Sequence, residues 1–160
     1  MTILVSTASW ADKGLVDSGK FYPPEAANPE ARLRYYASRF PIVEGDSSYY
    51  AIPLPATTQL WAERTPPGFV FNVKAFRAFT GHQFQIRVLP KDIQEALGSP
   101  AGNLYYSDLP AEIQRELWRR FCDSLEPLRL AGRLGAIHFQ FAPWVTSAAH
   151  RASTSSTASQ

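Results

Sequence analysis

Short continuous apolar runs alternate along this chain with longer stretches in which apolar residues recur every three or four positions. Runs of the first kind read as buried strands, and stretches of the second as helices with one apolar face. Residues 2–6 (TILVS) make a first short strand. A loop follows through Phe21-Tyr22-Pro23-Pro24, and Asn28-Pro29 then opens a helix. Asn accepts from the orphan N–H groups at a helix start, and Pro is tolerated at the first helical position. Leu33, Tyr36, Ala37 and Phe40 give that helix its apolar face, and Pro41 stops it. Ile42 to Asp46 form a second strand, a helix runs from Ala56 to Arg64 until Thr65-Pro66-Pro67-Gly68 ends it, and Phe69 to Lys74 form a third strand. Between Ala75 and Tyr106 the pattern is less regular, with a short helix over Lys91 to Leu97 ended by Gly98. Ser107 or Asp108 is expected to cap a long helix with the stripe Ile113, Leu117, Phe121, Leu125 and Leu128. Pro127 should kink that helix or end it near Glu126, with Gly132 as terminator and Gly135 to Phe141 as a fourth strand.

Strand, helix, strand, helix, strand, helix, strand is a βαβ series, which demands a parallel sheet with right-handed crossovers. Four such units suit half a barrel or a small open sheet. From Thr146 the pattern stops: TSAAHRASTSSTASQ holds no large apolar residue and cannot bury enough surface to order itself. The chain therefore divides into a folded unit over residues 1–145 and a disordered or out-of-frame tail over residues 146–160. A natural linker would explain that boundary. So would a frameshift or premature stop, since an out-of-frame read of GC-rich coding sequence tends to give Arg, Ser, Thr and Ala.

Composition narrows the class. Hydrophobic residues at 45% against 19% charged describe a globular chain rather than a disordered one. Net charge is only +2 and the longest basic run is Arg119-Arg120, so nucleic acid is not an expected partner. One cysteine, Cys122, excludes an internal disulfide and reads as a small core residue of the long helix. The N-terminus lacks a basic region before its short apolar run, and no stretch approaches the roughly 20 apolar residues of a membrane helix. A cytoplasmic protein with no membrane partner is the expectation. GxGxxG, P-loop, GxSxG and HExxH patterns are all missing, which removes support for nucleotide binding, serine hydrolysis and a zinc centre. The cofactor stays open; Glu44, Asp46 and His138 are metal-ligand types, but no metal-binding spacing supports them and no metal ligand is assigned.

Four blocks resemble one family. Ser6-Thr7-Ala8-Ser9-Trp10 with Phe21-Tyr22-Pro23 stands where its members carry Gly-Thr-Ser-Gly-Trp followed by Phe-Tyr-Pro. Val43-Glu44-Gly45-Asp46-Ser47-Ser48-Tyr49-Tyr50 follows the second strand. Val73-Lys74-Ala75-Phe76-Arg77, with Thr80 and His82, follows the third, and Leu134-Gly135-Ala136-Ile137-His138-Phe139-Gln140-Phe141 is the fourth. In this order they resemble the YecE-like family, domain-of-unknown-function family 72. The resemblance implies an α/β fold of the TIM-type (β/α)8 barrel, with these blocks as strands one to four. A whole barrel takes roughly 250 residues, so about four βα units, an incomplete barrel, are represented. Ser6 and Ser9 replace glycines of the family pattern, and Ala142-Pro143 replaces its Pro-Pro.

Strand parity gives the candidate site. Alternate side chains of a barrel strand face the lumen and the surrounding helices. Phe69, Phe71 and Val73 share the helix face of strand three, leaving Val70, Asn72 and Lys74 inward; Ile137, Phe139 and Phe141 do the same on strand four, leaving His138 and Gln140 inward. Glu44 and Asp46 fall together on strand two. Glu44, Asp46 and Lys74 are the candidate catalytic residues, a carboxylate acting as general base with Lys74 as charge partner or electrophile. Arg77 and His82 are candidates to hold an anionic substrate group such as phosphate or carboxylate, Trp10 and Tyr49 to wall the pocket, and Gln140 to bind substrate. The bland counterpart is a structural Glu44–Lys74 pair in a barrel interior, with His138 a satisfied core histidine. The reading is a truncated enzyme for a small polar or anionic molecule, inactive alone. The alternatives are a non-catalytic interaction protein that self-associates through open sheet edges, or a truncated product without function.

Overall fold

The computed structural model describes residues 3–98 and 102–145. Residues 3–6 carry no strand, and Ile3, Leu4 and Val5 are exposed. The first predicted strand is therefore a correction: an apolar run becomes a strand only when a neighbouring edge supplies its hydrogen bonds, and among the described residues none pairs with it. Helix α1 is Lys13–Asp17, capped by Asp12, and α2 is Pro29–Ala37, its Ala31 N–H held by the Asn28 side chain at 2.8 Å. Strand β1 (Ile42–Gly45) leads through the single turn α3 (Ser47–Tyr50) to α4 (Pro55–Glu63) and then β2 (Val70–Lys74). A small antiparallel hairpin of β3 (Phe84–Gln85) and β4 (Asn103–Leu104) encloses α5 (Lys91–Leu97) in its connection. Helix α6 (Ala111–Leu130) and strand β5 (Leu134–His138) complete the described elements.

The main sheet is parallel, in the order β1-β2-β5. Val43, Phe71 and Val73 are fully buried on one face, against Leu33 and Tyr36 of α2, Trp61 of α4, and Phe121, Leu125 and Leu128 of α6. Burying a side chain of this size contributes about 1.5–3 kcal/mol, so this layer holds the helices to the sheet. Thr58 and Ser124, both fully buried, let α4 and α6 approach closely, and the Thr58 hydroxyl donates to the Ser124 carbonyl at 2.6 Å. A second cluster, with Phe76, Phe84, Leu89, Ile93, Leu109 and Leu117, anchors the hairpin beyond the C-terminal end of β2.

Three local expectations change. Asp108 caps a short 3₁₀ turn (Tyr106–Asp108) by accepting from the Tyr105 N–H, and α6 starts three residues later at Ala111, after Pro110. Pro127 does not stop α6: it lies in the last turn, where only one intrahelical bond is lost. The end is made instead by Gly132 at φ +65, with Gly132 N–H to Arg129 O at 3.0 Å and Arg133 N–H to Leu128 O at 2.8 Å, a Schellman arrangement. Cys122 is exposed, because the helix turns it away from the Phe121–Leu125 stripe.

β5 carries a bulge. Phe71 pairs with Leu134 and Val73 with Ile137, so three residues of β5 span two of β2. The Asn72 side chain accepts from the Ala136 N–H at 2.9 Å, satisfying the donor that the bulge releases. Gly135 is required there, since a Cβ would stand 2.5 Å from both Asn72 Oδ1 and Val70 Cγ1. Ile137, Phe139 and Phe141 were expected to lie under helices, yet they are 39%, 38% and 56% exposed. β5 is an edge of this sheet, and Phe139 meets the Trp118 ring of α6 at 6.2 Å. Among the described residues, no helix is long and apolar enough to cross a membrane.

Candidate functional site

The face of the sheet away from the helices is polar where β1, β2 and β5 end. Register places Glu44 beside Asn72 and Lys74 beside His138. Lys74 Nζ lies 2.7 Å from Asp46 Oδ1 and 3.3 Å from Glu44 Oε1. The same Glu44 oxygen is 3.1 Å from His138 Nδ1. Asp46 follows β1 and precedes α3, so its carboxylate reaches Lys74 from beyond the strand end. Ser48, fully buried, fixes that geometry: its hydroxyl is 2.8 Å from Gly45 O and 2.7 Å from Lys74 O, stapling the start of α3 to the end of β2.

The side chains of Lys74, Glu44 and Asp46 are 17%, 26% and 31% exposed. They are thus partly desolvated. Burial alone would depress the lysine pKa; the Asp46 hydrogen bond and charge, with Glu44 behind them, outweigh it and hold the ammonium above its ordinary range. Its charge sits where a bound cation would sit between the two carboxylates. Among the described residues, no three His, Cys, Asp or Glu side chains come together to hold a metal ion.

Beyond β2, a 3₁₀ turn over Arg77–Thr80 brings the next residues alongside. Arg77 stacks over the Tyr49 ring at 5.4 Å, and its buried Nε has no acceptor among the described residues. The His82 ring meets Tyr49 at 5.5 Å and Trp144 at 6.0 Å. The Thr80 hydroxyl donates to Arg77 O at 3.0 Å, so it accepts from His82 Nδ1 at 3.1 Å, which leaves Nε2 as the free lone pair of the neutral ring. Burial, then the Arg77 charge, lower the His82 pKa. Gly81, at φ +79, leaves room for Val145, and Ala142 N–H bonds Thr80 O at 2.9 Å. The loops after β2 and β5 are therefore tied together.

The structure brings Glu44, Asp46 and Lys74 into one cluster, and Tyr49, Arg77 and His82 into a neighbouring one. It does not bring Trp10 or Gln140 to either. Trp10 is buried in the apolar core, edge-on to Trp61 at 5.1 Å and Phe71 at 5.9 Å, and its carbonyl accepts from the Tyr22 hydroxyl. It is packing, because Phe71 lies on the helix side of the sheet. Gln140 follows the end of β5 and is exposed, without a hydrogen bond among the described residues. His138 is also a correction: its side chain is 50% exposed and bonded to Glu44, not enclosed in a core. Sequence reasoning missed Ser48, whose burial beside Tyr49 and Tyr50 carries no periodic signal. It missed the role of Asn72 too, although a glycine within a strand, Gly135, does signal a bulge.

Comparison with known proteins decides the family. The model described as "Protein of unknown function DUF72" matches residues 4–156. The chain belongs to this family. It is 31% identical over 142 residues to the UPF0759 protein YunF of Bacillus subtilis (strain 168), covering 89% of this chain and 40% of that one. It is 36% identical over 102 residues to the UPF0759 protein YecE of Escherichia coli (strain K12), covering 58% and 37%. Two crystal structures of a DUF72 family protein from Enterococcus faecalis V583 share its fold, with TM-scores of 0.59 and 0.52 at 20% and 22% identity. The first covers 97% of this chain and 46% of the other; the second covers 78% and 41%. The chain thus spans under half the length of the DUF72 relatives named here.

Proposed function

We propose that this chain is the first part of a TIM-type barrel enzyme of the cytoplasm that acts on a small polar or anionic molecule by acid/base chemistry at the C-terminal ends of its strands. One observation carries the reading: Lys74 Nζ stands between Glu44 and Asp46 at the end of β2, with His138 on the same Glu44 oxygen. Barrel enzymes assemble their sites from the C-terminal ends of the strands. Glu44 takes a proton from a substrate carbon or hydroxyl, and the Lys74 ammonium beside it offsets the negative charge left on the substrate. Arg77, over Tyr49, orients an anionic group of that substrate. The span of under half of its relatives fits a half-barrel, whose missing strands would bring the remaining loops.

The test completes the barrel by joining the chain to the part of YunF beyond the matched region. The protein is incubated in D₂O with a panel of hydroxy acids and sugar phosphates, and C–H to C–D exchange is followed by proton NMR. Exchange abolished by Lys74→Ala and by Glu44→Gln supports the reading. No exchange with any compound, or equal exchange in Lys74→Ala, overturns it.

A second reading rests on the apolar side chains along the open edge. Ile137, Phe139, Phe141 and Trp144 are exposed after β5, as are Ile3, Leu4 and Val5 at the other end of the described chain. An unpaired parallel edge with such side chains favours self-association, which gives a non-catalytic interaction protein. Light scattering on the eluting chain separates the two: a stable dimer supports this reading, and a monomer opposes it.

A further inference from the structure

We infer that the cavity beside the β3–β4 hairpin binds a phosphoryl group, gripped by Arg77 from one side and Arg87 from the other. The cavity measures about 370 Å³, within the size range of small-molecule sites, and it shares only Arg77 with the acid/base site. The polar residues that line it are Arg77, Arg87, Gln83, Gln85, Asn103 and Tyr50. It contains no carboxylate.

Most other arginines of this chain have visible partners. Arg34, Arg64, Arg119, Arg120 and Arg129 pair with carboxylates, and Arg133 donates to the Thr65 and Pro66 carbonyls. Arg77 and Arg87 have no carboxylate partner among the described residues, yet both face one cavity. Two like charges around a concave space repel each other, and an anion between them reverses that sign. The buried, unaccepted Nε–H of Arg77 adds a donor already stripped of water, whose desolvation a ligand oxygen would offset.

Arg77 is held through its side chain and Arg87 through its backbone. Arg77 is fixed by its stacking on Tyr49 and by the 3₁₀ turn that it opens. Arg87 sits in the turn Ile86–Val88, closed by Leu89 N–H to Ile86 O at 2.9 Å and by Gln94 Nε2 to Leu89 O at 2.7 Å. Buried Phe84, Leu89 and Ile93 hold that turn to the domain. Asn103 Nδ2 to Gln83 Oε1 at 3.1 Å, and Gln83 Nε2 to Tyr105 Oη at 2.7 Å, order the polar rim. A phosphoryl group carries about −1.5 to −2 at neutral pH and several acceptor oxygens, which matches two forked cations better than a single carboxylate does.

The probe is inorganic phosphate, titrated into the 160-residue chain at constant ionic strength and followed by calorimetry and amide NMR, with acetate and succinate as parallel arms. Saturable phosphate binding is expected in the wild type. It should weaken at least tenfold in Arg87→Gln and in Arg77→Gln, be partly restored in Arg87→Lys, and be unchanged in Arg115→Gln. Arg87 takes no part in the acid/base reading, so its variants separate this site from that one. Absence of saturable binding, or equal binding in Arg87→Gln and wild type, overturns the inference. Tighter binding of succinate than of phosphate overturns the assignment to a phosphoryl group.

Discussion

Replacing Lys74 by Met removes one ammonium and leaves two carboxylates, Glu44 and Asp46, facing the space that it filled. Exposed ion pairs are worth about 0.2–1 kcal/mol, and stripping one partner from a fully buried pair costs about 3–5 kcal/mol. The three side chains lie between these limits, at 17%, 26% and 31% exposure, and the lysine serves both acids. The expected loss at pH 7 is therefore about 2 kcal/mol. Its pH dependence has a definite sign. In the variant the two carboxylates face each other without the intervening cation, and their mutual repulsion is no longer offset. The resulting penalty is present at neutral pH and relaxes as acid protonates the carboxylates, below roughly pH 4. In the wild type, the raised lysine pKa adds stability that is present below the unfolded lysine value and is lost as pH climbs through the folded one. Urea unfolding of both proteins at pH 7 and pH 4 measures the difference. A loss under about 0.5 kcal/mol would place the cluster with ordinary surface pairs. A loss of the same size at both pH values would mean that the methionine hurts packing and not charge balance.

Gly135→Ala should destabilise the fold by about 1–3 kcal/mol, because the new methyl would meet Asn72 Oδ1 and Val70 Cγ1 at 2.5 Å; the same urea experiment reads it, and a neutral result would mean that the bulge relaxes freely. His82, whose pKa is lowered in the folded chain, contributes stability that is full above the unfolded histidine value near 6.5 and is lost as pH falls from there through the lower folded value. His82→Gln should accordingly flatten the fall in melting temperature between pH 7.5 and pH 5.5, whichever way it shifts the absolute value. Cys122, exposed on α6, should react with a thiol reagent in the native protein as fast as in urea, whereas a core cysteine would be protected.

Much of the sheet was legible because burial leaves a period-2 trace. Phe69, Phe71 and Val73 read as the helix face, and they are buried. The same alternation located Glu44 and Lys74 on one side before any distance was known. Trp10 misled because an aromatic residue in a motif looks the same whether it lines a pocket or fills a core; only its contacts with Trp61 and Phe71 decide. Residues 2–6 read as a strand from local pattern alone, yet Ile3, Leu4 and Val5 pair with no strand among the described residues, since hydrogen bonding of a strand is a non-local property. Arg87 left no trace at all. It lies in the irregular stretch after Ala75, where neither helical nor strand period applies, and its meeting with Arg77 depends on the folded hairpin. The expectation for residues 146–160 lies outside the described residues.

The extra residue in β5 sets a counting rule for this protein. Upstream of it, Leu134 keeps step with Phe71; downstream, Ile137 keeps step with Val73, and His138 thereby arrives beside Lys74. Pairing β5 regularly, with the bulge closed and the length unchanged, would leave every side chain unaltered in kind and still put Ala136 beside Val73 and Ile137 beside Lys74, with the imidazole turned toward the helix layer. At that point the chain is read like a codon frame: spacing, more than identity, decides which chemistry reaches Glu44.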